Sequence, residues 1–154
     1  MICCSEASKI TTELDKKGVR SERWGLFNGW DFDKDEIVLK AQKELAKRHV
    51  RRTWVATPCT QFCTLHDFNM QKWNAEQQNQ FRLRQHKARR LNKRVMRVVL
   101  SHLSRGASQK TEAKNLFYRE WPRYNRSWKT PEYAWFRREL NKIGVEVYST
   151  FLDD

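Results

Sequence analysis

The chain has 154 residues, 39% hydrophobic and 12% aromatic, with five glycines and three prolines; it fits one packed domain over 1–154 and excludes disorder throughout. Its 31 Lys plus Arg against 18 Asp plus Glu leave a formal charge of +13, which attracts polyanions and makes nucleic acid, DNA or RNA, the expected partner. No apolar run nears the roughly 18 residues of a membrane span, and Met1 leads into a short Ile-Cys-Cys patch rather than a secretory signal. No membrane partner and an intracellular location, nuclear or cytoplasmic, are therefore expected.

Short apolar runs alternate with helical patterns, which predicts an α/β fold built from βαβ units. Met1 to Cys4 is the tail of a truncated first strand. From Ser5, the spacing of Ala7, Ile10 and Leu14 predicts a helix stopped at Gly18. Arg23 to Phe27 reads as a second strand closed by Asn28-Gly29, and Asp33-x-x-Glu36 as a capping box for a helix to about His49. Thr53 to Ala56 is a β-prone run halted by Thr57-Pro58. Thr60 to Met70 reads as a long loop.

A helix of about thirty residues follows, with Phe81, Ala88, Leu91, Val95, Val99 and Leu103 on one side and a hinge at Gly106-Ala107-Ser108. Asn115 to Tyr118 is the next strand, ended near Pro122. Thr130-Pro131 starts a last helix with a capping hydroxyl and a proline at the first helical position, running through Phe136, Leu140 and Ile143 to Gly144. Val145 to Phe151 alternates as a final strand.

Between Arg82 and Lys110 there are ten Lys or Arg and no acid. A solvated helix face normally mixes both signs, so this density points to an anion. Arg82, Arg84, Lys87, Arg89, Arg90, Lys93, Arg94 and Arg97 are the expected phosphate contacts. Six such contacts would give a log-log salt slope of roughly −5 on duplex. The four cysteines are expected to be reduced, and Cys59-x-x-x-Cys63 with His66 lacks a second ligand pair, so no metal is expected.

In parallel sheets, ligands bind beyond the carboxyl ends of the strands. Asp31, the Thr57 to Thr60 turn and the Arg119 to Pro122 turn fall at such predicted ends, the last two on neighbouring strands running the same way. Trp121 is a candidate stacking platform beside them. The stretch Trp54 to Phe62, with Thr57-Pro58-Cys59, resembles the strand-Pro-Cys loop of cytosine-5 DNA methyltransferases. Together with Cys4-x-x-x-Ser8-x-x-Thr11, Phe27-Asn28-Gly29-Trp30-Asp31, Leu65-x-x-Phe68-Asn69 and Glu120-Trp121-Pro122, it is similar to methyltransferase-like domains of retrotransposon-type polyproteins.

That resemblance implies a Rossmann-like, mostly parallel sheet flanked by helices, with Cys59 as nucleophile and Glu120 gripping the target ring. It implies S-adenosylmethionine held near Ser5, Ser8, Asp31 and Pro58. Ser5-Glu6-Ala7-Ser8 carries no glycine where the family has its cofactor loop, and no target-recognition segment is present. The expected function is therefore a degenerate methyltransferase-like domain of mobile-element origin that binds nucleic acid. The alternatives are an active cytosine methyltransferase fragment using Cys59, or a basic module that docks an acidic protein. The truncated sheet edge also predicts self-association or a contact with the parent polyprotein.

Overall fold

The computed structural model describes residues 2–3, 10–48, 50–57, 60–108, 116–121 and 124–148. Three short strands, β1 (Ile2–Cys3), β2 (Arg52–Val55) and β3 (Leu116–Arg119), form one sheet in the order β1-β2-β3, with both pairings parallel. Parallel neighbours need long crossovers. Between β1 and β2 the chain makes α1 (Ile10–Lys16), a 3-10 turn η1 (Leu26–Asn28) and α2 (Asp35–Lys47). Between β2 and β3 it makes η2 (Thr60–Phe62), α3 (Leu65–Met70) and α4 (Ala75–Ser108), and beyond β3 come η3 (Arg126–Lys129) and α5 (Pro131–Lys142). The class is α/β with a small parallel sheet, as expected. Among the described residues no helix is long and apolar enough to cross a membrane.

The 34-residue helix α4 is the spine. No proline interrupts it, and Asn74 and Gln77 open it with a reciprocal capping box: the Gln77 amide donates to Asn74 Oδ1 at 2.9 Å and the Asn74 amide to Gln77 Oε1 at 3.0 Å. Its predicted apolar side is the core. Val95, Met96, Val98, Val99 and Leu103 cluster with Val38, Ala41 and Leu45 of α2, Phe136 and Leu140 of α5, Val55 of β2, and Trp24. The last helix starts as predicted, with Thr130 Oγ1 accepting from the Tyr133 amide and Pro131 in the first turn. Gly18 and Gly144, at φ 68° and 70°, close α1 and α5 in left-handed stops where each following valine amide bonds back five residues.

Five local expectations are corrected. Arg23 to Phe27 is not a strand: the Gly25 amide takes Asn28 Oδ1, the Asn28 and Trp30 amides return to the Gly25 carbonyl, and Trp24 stacks on Trp30 at 3.9 Å. Turn chemistry at Gly25 and Asn28 prevails over apolar content there. The Asp33-Glu36 box does not form; Lys34 is the N-cap without a side-chain bond, because Asp33 is drawn toward the cations of α4. Thr60 to Met70 is not a loop, since Phe62 is buried in η2 and His66, Trp73 and Phe81 pack their rings at 4.6 to 6.0 Å.

Helix α4 continues through Gly106, so no hinge interrupts it there; one glycine costs a helix only about 1 kcal/mol, and Arg105 on the same turn donates to the Gln42 carbonyl of α2. Val145 and Val147 do alternate inward with Glu146 and Tyr148 outward, but among the described residues no ladder receives them.

Candidate nucleic-acid interface

Because β2 and β3 run in parallel, the backbone leaving each emerges at the same sheet end. The Glu120 amide donates to the Val55 carbonyl at 3.1 Å, Trp121 Nε1 to the Thr57 carbonyl at 3.2 Å, and Arg119 Nη2 to Thr57 Oγ1 at 3.3 Å. The expected neighbourhood of the two turns is therefore present. Pro58 and Cys59 lie outside the described residues, as do Ser5 and Ser8. The Glu120 side chain is exposed.

Trp121 is not a stacking platform. It is only 7% exposed, with the Arg119 guanidinium 3.6 Å above its ring and the Trp128 and Tyr133 rings at 4.9 and 5.9 Å. Its indole is spent on joining the strand end to α5. Burial raises the Tyr133 hydroxyl pKa above its ordinary value, against the pull of Arg119 and Arg137.

Asp31 stands on the turn between η1 and α2, not at a strand end, and its Oδ1 accepts the Asp33 amide at 3.1 Å. Of the residues expected to hold S-adenosylmethionine it alone is described. The bond to the Asp33 amide engages one of its two carboxylate oxygens within its own turn, and no step is derived through the cofactor.

The eight expected phosphate contacts divide by what surrounds them. Arg89 forms a bidentate pair with Glu132 of α5, with N···O distances of 2.9 to 3.1 Å. Burial raises the Glu132 pKa, but the Arg89 hydrogen bonds, its own helix amide and the charges of Arg89 and Lys93 outweigh that and hold it below the ordinary 4.5. Arg94, with its side chain 15% exposed, reaches Asp35 at 2.7 Å and also donates to the Asp33 carbonyl. The Asp33 carboxylate lies 3.4 Å from Lys87 and 3.6 Å from Arg90. Arg89 and Arg94 thus clamp α5 and the start of α2 onto the spine.

The remainder form a surface. At 3.6 residues per turn and 1.5 Å per residue, Arg82, His86, Arg90, Lys93 and Arg97 fall within about 80° of the circumference of α4, along about 22 Å. All five are exposed. Arg82 and Arg97 make no ion pair among the described residues, Lys93 lies 5.7 Å from the Trp135 ring, and Arg90 has only the Asp33 contact. Arg84 is exposed on a separate sector.

Sequence reasoning missed the acids that absorb Arg89 and Arg94, and it missed His86 as a member of the stripe. A helical projection of α4 would have found His86. No family model, curated protein or solved structure matches the chain.

Proposed function

We propose that the protein binds nucleic acid through the α4 stripe, with Arg82, Arg90, Lys93 and Arg97 on consecutive phosphates. The observation that carries this reading is a cationic row 22 Å long, by the spacing above, largely left outside the ion pairs that hold the fold. Unpaired cations crowded on one face repel each other, and a polyanion removes that cost. Such contacts position a backbone without reading bases, so little sequence preference is expected.

Four phosphate contacts predict a log-log salt slope of about −3.6 on duplex, shallower than the six-contact figure from residue counting. Fluorescence anisotropy with a labelled duplex and a labelled RNA, from about 50 to about 200 mM salt, measures it. Binding insensitive to salt over that range would overturn the electrostatic interface.

A second reading, an active cytosine-methyltransferase fragment using Cys59, is supported by the parallel β2 and β3 ends that bring the Thr57 and Glu120 turns together. Its test is covalent trapping of a 5-fluorocytosine oligonucleotide in the presence of S-adenosylmethionine, compared with Cys59→Ala. An adduct on the native chain alone supports that reading, and its absence with both ends it.

A further inference from the structure

The α4 stripe runs between two acids that hold their cations differently. On the α5 side, Glu132 takes Arg89 in a bidentate pair at 2.9 to 3.1 Å. On the α2 side, the Asp33 carboxylate lies among three cations, 3.4 Å from Lys87, 3.6 Å from Arg90 and 3.8 Å from Arg94. Its Oδ1 makes no hydrogen bond among the described residues. Charge-assisted hydrogen bonds form at about 2.7 to 2.9 Å. Asp33 therefore attracts these groups without the close bonds that lock Arg89.

The three cations are not equally free to leave it. Arg94 is fixed elsewhere, by Asp35 and by the Asp33 carbonyl. Lys87 and Arg90 have side chains 69% and 52% exposed, and no other acid pairs with either among the described residues. At 100° per residue, Lys87, Arg90 and Arg94 span about 60° of the helix, and Arg90 is also the edge of the stripe. A polyanion lying along the stripe thus meets Arg90 directly and Lys87 one step further round. Meanwhile the Asp33 backbone is pinned apart from its carboxylate, its amide donating to Asp31 Oδ1 and its carbonyl accepting from Arg94. The side chain can release its cations without moving the turn.

We propose that Asp33 is an internal competitor of phosphate for Arg90 and Lys87, which keeps Lys87 off the polyanion and holds the affinity of the stripe below what its cations would otherwise supply. The proposal rests on the nucleic-acid reading and adds a regulator to that same surface. One carboxylate and one phosphate oxygen compete for the same donors, so each bound phosphate at this edge has to displace Asp33. Its loose contacts make that exchange possible, whereas the Glu132 pair excludes it at Arg89.

The test is the salt dependence of anisotropy with a labelled duplex, on the full chain. Asp33→Asn keeps the shape and removes the charge. It should raise affinity about fivefold or more near 100 mM salt and steepen the log-log slope by about 0.9, the increment of one added phosphate contact. Asp33→Ser, likewise uncharged, should give the same shift, so the outcome does not depend on the amide's own hydrogen bonds. Adding Lys87→Met to Asp33→Asn should return the slope to within about 0.3 of wild type. Asp35→Asn, in which an equal charge is lost from a carboxylate 82% exposed two residues away, should raise affinity less than about twofold, because solvent already screens that group. Equal gains at Asp33 and Asp35, a slope that stays steep in the double variant, or no gain at Asp33 in a chain that binds duplex with the four-contact slope would each overturn the competitor and leave the stripe standing. Absence of salt-dependent binding in both wild type and Asp33→Asn would overturn the stripe and the competitor together.

Discussion

Arg94 and Arg97 sit three residues apart on the same helix, yet one is enclosed by Asp35 and the Asp33 carbonyl and the other projects into solvent without an ion pair among the described residues. Arg89 and Arg82 repeat the contrast, the first locked to Glu132 and the second exposed. One residue type thus does two jobs on α4, and the neighbouring acids, not the helix, assign them. An arginine engaged by another element holds the two together. Removing Arg89 would strand Glu132, whose side chain is 16% exposed. Removing Arg94 would take the donor from the Asp33 carbonyl, Asp35 itself being 82% exposed. An exposed arginine adds little to stability and is available to a partner.

The largest expected effect breaks the contrast at its exposed side. Reversing Arg82, Arg90, Lys93 and Arg97 to glutamate should lower affinity for duplex or RNA by about a hundredfold or more, since four attractive phosphate contacts become repulsive. The thermal midpoint should stay close to wild type. A loss of binding that accompanied unfolding would assign these residues to the fold instead.

On the enclosed side, Arg94→Ala should cost about 1.5 kcal/mol in urea unfolding, mainly for the lost charge-assisted hydrogen bond to the Asp33 carbonyl, since the exposed Asp35 carboxylate is solvated without it. Duplex affinity should change less than about threefold, because a single removed charge outside the stripe contributes little. A smaller effect is expected at the start of the same helix. Asn74→Ala removes the acceptor for the Gln77 amide and should cost about 1 kcal/mol, with Asn74→Ser largely retaining stability.

The smallest effect concerns pH. His102 is buried on the core side of α4; desolvation and the Arg105 charge lower its pKa below the ordinary 6.5, outweighing its hydrogen bond to the Val50 backbone. The unfolded chain then binds this proton more readily than the folded one, so the stabilising neutrality is complete above about pH 6.5 and is lost progressively as pH falls below it. Thermal midpoints across that window should decline on acidification, and less steeply in His102→Gln. An identical decline in both would assign the titration to other groups.

Much of the architecture was legible from local signals. The apolar stripe of α4, the Thr130-Pro131 helix start and the parallel ends of β2 and β3 follow from periodicity, capping chemistry and strand punctuation. The Arg23 to Phe27 segment was not, because its conformation depends on Trp24 meeting Trp30 across a glycine turn, a contact that no strand propensity encodes. The site was half legible for a related reason. Counting cations between Arg82 and Arg97 located the surface, but the partners that withdraw Arg89 and Arg94 lie 43 and 59 residues away in sequence. Only folding brings Glu132 and Asp35 to them. Trp121 shows the same limit, since its burial under Arg119 is created by α5 and η3 closing over the strand end.

The division of labour along α4 is tested most directly by the salt dependence of duplex affinity in two variants measured side by side. Arg82→Ala with Arg97→Ala should make the log-log slope shallower by about 1.8, while Arg89→Met, which removes a cation of the clamp, should leave it within about 0.5 of wild type. Equal changes of slope in the two variants would contradict the account, because they would mean that clamped and exposed arginines meet the phosphates alike.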